Sequence, residues 1–227
     1  MTVVAGLDGC RTGWVAVLWD IDGGTTTVEH LPHLTDLVRG LDTGEVTVAG
    51  IDIPIGLPSA GRRPCDVEAR ARLGPRRSSV FPAPPRAVLG SDTYATAVAA
   101  SRAVSATAIS RQTFGLLPKI AEVDRLLLRH RRDRLVEVHP ELSFAVLTGA
   151  PAAHNKKTPA GRDERLAALR PVFPALHRSD PPPHGARPDD VLDAYAVAWT
   201  ARRWLSGTHL RLGGQRDDGG RPMQIIV

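Results

Sequence analysis

Five acidic residues of the sequence stand near strand ends or at a helix start, and their types and spacing could perform hydrolytic chemistry. Asp8 ends one apolar run, Asp52 lies near the end of another, and Glu137 lies within a third. Asp190 and Asp193 are three residues apart at the start of a predicted helix, which places both carboxylates on one face. If the three strands are neighbouring and parallel, their acids meet at the carboxyl edge of the sheet, where open α/β sheets bind ligands.

Carboxylates gathered within a few ångströms of one another repel strongly unless cations neutralise them. Oxygen ligands with little His or Cys favour Mg²⁺ or Mn²⁺ over zinc. Two such ions about 3.5–4 Å apart are an established means of activating water and stabilising the leaving oxygen in phosphodiester hydrolysis. The acids therefore predict a site for two Mg²⁺ or Mn²⁺ ions.

Each acid also has a structural explanation of its own. Asp8 before Gly9 could accept a hydrogen bond within a turn, and Asp52 could end its strand in the same way. Glu137 could pair with a buried arginine, and Asp190 could cap its helix. An aspartate at the end of each of two central strands is costly without a partner, so a shared site is favoured over separate structural roles for all of them.

The elements that must position these residues are typical of an α/β domain. The apolar runs 3–7 and 46–53 indicate strands buried on both faces, and the Thr-rich segment 25–31 indicates an edge strand. The order up to residue 53 is β-β-β-α-β. The remaining pattern predicts a strand at 135–140, a hairpin at 210–227 and helices at 66–73, 93–108, 114–131, 141–147, 162–170 and 188–204.

Length and composition limit the class of protein. With 227 residues, 42% of them hydrophobic and 23% charged, the chain is typical of one folded domain with an insertion. No stretch reaches about 18 uninterrupted apolar residues, and the N-terminus lacks the basic region of a signal peptide. Cys10 and Cys65 are too few for a disulfide framework or a four-thiolate zinc site. We therefore expect a cytoplasmic protein with no membrane segment.

Positive charge is concentrated in the Pro- and Gly-rich segment after Asp52. Seven arginines and two acids lie between Arg62 and Arg86, within a chain of net charge +5. Guanidinium groups grip phosphate bidentately, although a solvated face rich in arginine would explain the run equally well. The pattern predicts one domain over 1–227 with a basic insertion at about 54–131 and a C-terminal hairpin at about 208–227.

Seven segments occur along the chain in this order: GLDGCRTGW from residue 6, IDIPIGLP from 51, RPCDVEAR from 63, LGPRRSSVF from 73, PKIAEVD from 118, EVHPE from 137 and DDVLDA from 189. Together they resemble a family of unknown function whose members are described as predicted RNase H-like nucleases. The match runs from about residue 3 to 204. It implies a ribonuclease H-like core: a five-stranded mixed sheet of order 3-2-1-4-5, with the second strand antiparallel and helices on both faces.

Among proteins of that fold, the Holliday-junction resolvases offer the closest analogy to this arrangement of acids. In them, acids end the first and fourth strands and two more lie three apart in the last helix. The resemblance implies that Asp8 bridges two Mg²⁺ or Mn²⁺ ions, that Asp52 and Asp193 each hold one, and that Asp190 completes the ligands. Glu137 is a further candidate, as a ligand or as a hydrogen-bond acceptor behind the ligands.

The implied activity is phosphodiester hydrolysis that leaves 5′-phosphate and 3′-hydroxyl ends on DNA or RNA. His139 could assist, although a single histidine at a strand end is more often structural. Salt-sensitive binding of backbone phosphates, largely independent of sequence, is expected of the basic residues. They are Arg11, Arg62, Arg63, Arg70, Arg76, Arg77 and Lys119. Resolvases of this fold act as dimers, so a homodimer is one expectation, although no self-complementary apolar stripe stands out.

Three other classes of protein fit parts of the sequence. An actin-like phosphotransferase would explain the Asp8–Gly13 segment, but that fold needs a second such domain, which this length does not accommodate. A catalytically idle scaffold or nucleic-acid-binding module would have no reason to retain mutually repelling carboxylates. A phosphohydrolase or phosphotransferase acting on a small nucleotide remains open, and the basic insertion favours a polymer over it only mildly.

Overall fold

A five-stranded mixed sheet forms the centre of the fold in a computed structural model that describes residues 1–129 and 133–227. The strands run in the order β3-β2-β1-β4-β5, with β2 antiparallel to both of its neighbours and β1, β4 and β5 mutually parallel. This confirms the predicted fold class. The strands are β1 Val3–Cys10, β2 Gly13–Asp20, β3 Thr25–Leu31, β4 Val48–Ile51 and β5 Leu135–Glu137.

Burial along the strands follows their place in the sheet. β1 and β4 are buried on both faces, as expected of central strands with apolar sequences. β3 lies at the edge and is largely exposed, which agrees with its Thr-rich sequence. The turn between β2 and β3 contains Gly24, whose φ of +68° is a left-handed conformation that glycine adopts without strain.

One face of the sheet is covered by the helix α7, Pro188–Leu205. The approach is close because β1 and β4 carry Gly6 and Gly50 where the helix crosses; a Cβ on Gly6 would lie 2.2 Å from the carbonyl oxygen of Ala194. The helices α5 (Pro140–Thr148) and α6 (Pro159–Leu169) also contribute to the apolar core on this face.

The opposite face of the sheet carries α1, Thr35–Thr43. Its Leu37 and Gly40 line a cleft of about 450 Å³ together with Ala16 and Leu18 of β2. Helices therefore lie on both faces, as predicted.

The chain divides into two compact units. The first contains Met1–Asp52, Asp133–Leu210 and the last two residues, and includes the whole five-stranded sheet. The second contains residues 53–129 and Arg211–Ile225. It holds α2 Pro64–Leu73, two 3₁₀ helices at Gly74–Ser79 and Arg86–Val88, α3 Tyr94–Val104, α4 Arg111–Arg129 and most of a hairpin of β6 Arg211–Arg216 and β7 Pro222–Ile226. Residues 130–131 of the predicted insertion and of its last helix lie outside the described residues.

The second unit is stabilised internally by buried ion pairs. The side chain of Asp217 is fully buried and accepts hydrogen bonds from Arg86 at 2.8 Å, from Arg221 at 3.1 Å and from the backbone N–H of Leu57 at 3.1 Å. Asp124 of α4 pairs with the same two arginines. Carboxylates buried in this way are satisfied by charged and backbone donors, so this network has a structural role.

In the part of the chain that the structure describes, none of the helices combines the length and the hydrophobicity that a membrane-spanning helix needs.

Candidate active site

Two strands and one helix bring the predicted acids together in the first unit. Asp8 lies in β1, and Asp52 directly follows β4, where its backbone N–H donates to the carbonyl of Leu7 at 2.9 Å and extends the ladder. Asp193 lies in the second turn of α7, next to Ala194, whose carbonyl packs against Gly6. The close crossing of α7 over β1 therefore sets the position of Asp193 relative to Asp8.

The electrostatics of Asp8 show how closely these acids are grouped. Burial raises the pKa of Asp8 well above its ordinary value, and the negative charges of Asp52, Asp193 and Asp190 raise it further. The positive charge of Lys156 opposes them in part. One oxygen of Asp8 accepts a hydrogen bond at 2.8 Å from the backbone N–H of Gly9, which also belongs to β1, so the carboxylate has a local partner as well as its place in the cluster.

Asp193 has no exposed surface, and burial raises its pKa to about 6. The charge and hydrogen bond of Lys156 lower this pKa, whereas Asp52 and Glu141 raise it. Burial likewise raises the pKa of Asp52, against the opposing effect of His139 and Lys156. Three carboxylates thus share a site in which full ionisation is unfavourable unless a cation is present.

Asp190 combines two of the roles considered for it. Its carboxylate accepts a hydrogen bond at 2.8 Å from the backbone N–H of Arg187, which precedes α7, so Asp190 caps the helix. It is half-buried, and burial raises its pKa. Because its charge also acts on Asp8, this cap belongs to the edge of the cluster.

Glu137 lies on the opposite face of the sheet from Asp8 and Asp52. Ile51 of β4 pairs with Leu7 of β1 on one side and with Glu137 of β5 on the other. Paired residues of adjacent strands point to the same face and successive residues alternate, so Glu137 shares the face of Leu7 and not that of Asp8 and Asp52. His139, two residues further, does lie near Asp52, since its positive charge would lower the pKa of that carboxyl.

Two residues absent from the predicted site belong to the cluster. The ammonium of Lys156 makes an ion pair with Asp193, and a third of the Lys156 side chain is exposed. Glu141, at the start of α5, acts on Asp52 and Asp193 and is bound at 2.5 Å by the buried Arg165. Glu141 could have been suggested by the segment 137–141, but only the rarity of lysine in this chain, three residues in all, distinguished Lys156.

The basic residues expected to bind phosphate lie in different surroundings. Arg11 is exposed in the β1–β2 turn of the first unit. In the second unit Arg62 and Arg77 are exposed, whereas the guanidinium of Arg70 donates to the carbonyls of Arg77 and Val80. Arg76 and Lys119 are half-buried.

Arg63 differs from the other basic residues because it is 1% exposed. Its guanidinium pairs with Asp66 at 2.5 Å and also donates to the carbonyls of Ile55 and Gly56. These contacts give Arg63 a place inside the second unit.

The donor set of the cluster suits a divalent cation in chemistry and in charge. All of its acidic members offer carboxylate oxygens, as Mg²⁺ and Mn²⁺ prefer. Two buried oxygens, Oδ1 of Asp193 and Oε2 of Glu141, have no hydrogen-bond partner among the described residues. In the part of the chain that the structure describes, no three His, Cys, Asp or Glu side chains are arranged to hold a metal ion. A bound ion would therefore require some of these side chains to rearrange.

The strand order β3-β2-β1-β4-β5, with β2 antiparallel and an acid-bearing last helix across the central strands, defines a ribonuclease H-like fold. Within that class, the chain belongs to the family described as "Protein of unknown function (DUF429)", whose model matches residues 6–218.

One solved structure, T. thermophilus RuvC in complex with a Holliday junction substrate, is similar to the chain over most of its length. The similarity has 10% sequence identity and a TM-score of 0.39, and it covers 91% of this chain and 98% of that one. No curated protein matches the chain.

Proposed function

We propose that the protein is a divalent-metal-dependent nuclease that hydrolyses phosphodiester bonds in nucleic acid. The observation that carries the proposal is the group of Asp8, Asp52 and Asp193, in which Asp8 and Asp193 are buried, Asp52 is half-buried and each carboxyl has a raised pKa. Such a group is costly to maintain in the folded protein, and a cation-dependent reaction gives it a use.

Mg²⁺ or Mn²⁺ bound there would lower the pKa of water and neutralise charge on the phosphodiester. Asp8, Asp52, Asp190 and Asp193 are the residues that would hold it. Asp8 is suited to share a cation with Asp52 and Asp193 because the negative charges of both residues act on its carboxylate. Asp190 is already oriented by the N–H of Arg187, so little side-chain freedom is lost when it becomes a ligand.

The surrounding residues of the first unit hold this arrangement in place. Arg165 fixes Glu141 through a buried ion pair, which keeps that acid beside Asp52 and Asp193. Burial of the carboxylates also excludes bulk water, which strengthens every charge interaction at the site. The catalytic role assigned to Glu137 by sequence is not part of this proposal.

Nucleic acid is the proposed substrate because basic residues, most of them arginine, outnumber acidic residues and give the chain a net charge of +5. Exposed Arg11, Arg62 and Arg77 are the strongest candidates for binding backbone phosphates, with Arg70, Arg76 and Lys119 as further candidates. Such contacts give affinity that falls steeply with salt concentration. A cytoplasmic location and a homodimer belong to the proposal as sequence-based expectations.

The test is cleavage of single-stranded, duplex, branched and RNA–DNA hybrid oligonucleotides in Mg²⁺ or Mn²⁺. We expect activity on at least one substrate class, abolished by Asp8→Asn and retained by Asp36→Asn, which changes an exposed acid of α1. Cleavage that survives Asp8→Asn at full rate would show that the proposed site does not catalyse it. Metal binding without cleavage of any oligonucleotide would favour a small phosphorylated substrate.

One observation favours a second candidate, a catalytically idle protein that keeps the fold. The ammonium of Lys156 neutralises part of the negative charge without a metal ion. Calorimetric titration separates the two candidates, because an idle protein would bind neither Mg²⁺ nor Mn²⁺ at this site.

A further inference from the structure

Lys156 is held in position by the loop that carries it. This loop lies between α5 and α6, and the backbone N–H groups of Ala153 and His154 donate to Glu164 of α6 at 2.7 and 2.9 Å. The carbonyl of His154 in turn accepts a hydrogen bond from Arg165 at 3.2 Å. The residues before Lys156 are thus fastened to α6 by three hydrogen bonds.

The residues beside Lys156 are fastened as firmly. The carbonyl of Asn155 accepts hydrogen bonds from both the backbone and the hydroxyl of Thr158, the N-cap of α6. The helix comes so close to this loop that a Cβ on Gly161 would lie 1.9 Å from the carbonyl oxygen of Asn155. These contacts fix the conformation of the loop, so the backbone holds Lys156 in a defined position beside the carboxylates.

The ammonium of Lys156 supplies positive charge to the whole cluster of carboxylates. It contacts Oδ2 of Asp193, and its positive charge also lowers the pKa of Asp8, Asp52 and Asp190. An ammonium offers three N–H donors around a compact charge, which suits several carboxylate oxygens at once.

We propose that Lys156 takes one of the two cation positions of the carboxylate cluster, so that the site binds a single divalent ion. This inference rests on the proposed function, because it concerns the same metal centre. Asp193 then has two uses: Oδ2 binds the ammonium, and Oδ1, which has no hydrogen-bond partner among the described residues, would join Asp8 and Asp52 around the one ion once their side chains have rearranged.

Charge favours one ion over two. Arg165 balances the charge of Glu141, and the four aspartates of the cluster share one ammonium, so three negative charges remain when all are ionised. One divalent ion leaves a single negative charge, whereas two would leave a net positive charge in a buried site and place the second ion next to the ammonium. Like charges in a site screened from water repel strongly.

The test is the number of Mn²⁺ ions bound per chain, measured by calorimetry and by electron paramagnetic resonance. Two ions about 3.5–4 Å apart give the spectrum of a coupled pair, whereas one ion gives that of an isolated centre. We expect the wild-type protein to bind one ion and Lys156→Met to bind two. Lys156→Arg keeps the charge and should bind one. Lys157→Met, which changes the neighbouring exposed lysine, is the matched control and should also bind one.

Two results would overturn the inference: two ions in the wild-type protein, or one ion of unchanged affinity in Lys156→Met. Two ions together with cleavage would leave the proposed function standing and remove only the role of Lys156. A wild-type protein that binds no ion would remove both. If Lys156→Met does not fold, as judged by circular dichroism with Mn²⁺ present, Lys156→Gln replaces it and the wild-type count still decides.

Discussion

The raised pKa of Asp193 makes the stability of the metal-free protein depend on pH in a defined direction. Burial is the main cause, and the pKa rises from 3.8 to about 6 in the folded protein. In the unfolded chain this carboxyl is exposed to water and titrates near its ordinary value. Between these two values the folded protein binds the proton more tightly than the unfolded chain, so stability falls as pH rises.

The size of the effect follows from the shift. About two pKa units correspond to about 3 kcal/mol, since one unit is about 1.4 kcal/mol. Below about pH 4 the Asp193 carboxyl is protonated in both states and imposes no cost on folding. The cost grows through the window and is complete above about pH 7. Asp8 and Asp52 add to the loss in the same direction, because their pKa values are raised as well.

The contribution of Asp193 is measured by comparing the wild-type protein with Asp193→Asn. The free energy of unfolding of each is determined in urea with EDTA present, at several values between about pH 4 and pH 8. Asparagine carries no charge and keeps an oxygen that can accept from Lys156. We expect the stability difference to move by about 3 kcal/mol in favour of the variant across this range. Asp36→Asn, an exposed control, should show no comparable trend.

A difference between wild type and Asp193→Asn that stays constant with pH would refute this reasoning. Adding Mg²⁺ at the upper end of the range extends the test. The ion should restore stability to the wild-type protein, by about 2.7 kcal/mol at a hundred times its Kd, and much less to the variant, which lacks one ligand charge.

Three further substitutions test the packing and the ion pairs inside each unit, two in the first unit and Asp217→Asn in the second. Gly6→Ala should unfold the protein or cost about 3 kcal/mol or more, because the new Cβ would overlap the carbonyl of Ala194; thermal unfolding measures this. Arg165→Met should cost about 3–5 kcal/mol in urea, since it leaves Glu141 buried without its counter-charge. Asp217→Asn should cost about 1–3 kcal/mol near neutral pH and less in acid, because hydrogen bonds and Arg221 outweigh burial and lower the pKa of Asp217.

For each of these three predictions, one outcome would contradict the reasoning. Gly115→Ala places a Cβ in open space within α4 and should be neutral or slightly stabilising, so an equal loss from it and from Gly6→Ala would remove the packing explanation. Unchanged stability of Arg165→Met would show that the ion pair is dispensable. A cost of Asp217→Asn that does not diminish at acidic pH would contradict the lowered pKa.

The strands and helices could be predicted because their signals are local. The buried runs of β1 and β4, the Thr-rich β3 and the acidic start of α7 lie within short segments whose patterns survive in the folded protein. Boundaries differed by a few residues, as in α4, which begins at Arg111 where the pattern predicted 114. Such shifts arise because tertiary contacts, and not local helix propensity, decide where a helix begins and ends.

The side-chain composition of the site was only partly accessible from the same patterns. Asp8, Asp52, Asp190 and Asp193 could be grouped because each follows from a strand end or a helical spacing. The face of Glu137 could not, because it depends on the register of β5 against β4, and a shift of one residue exchanges the two faces of a strand.

The sequence by itself determined the succession of strands and helices along the chain and the location of Asp8 and Asp52 at the ends of apolar strands, since both depend on short-range periodicity. Only the tertiary structure decided that Lys156 and Glu141 join those acids. Lys156 meets Asp193 across 37 residues of chain, through a loop whose conformation is set by hydrogen bonds to α6 and by the close packing of Gly161. Contacts of that kind have no periodic signal, because they exist only once the helices have packed on the sheet.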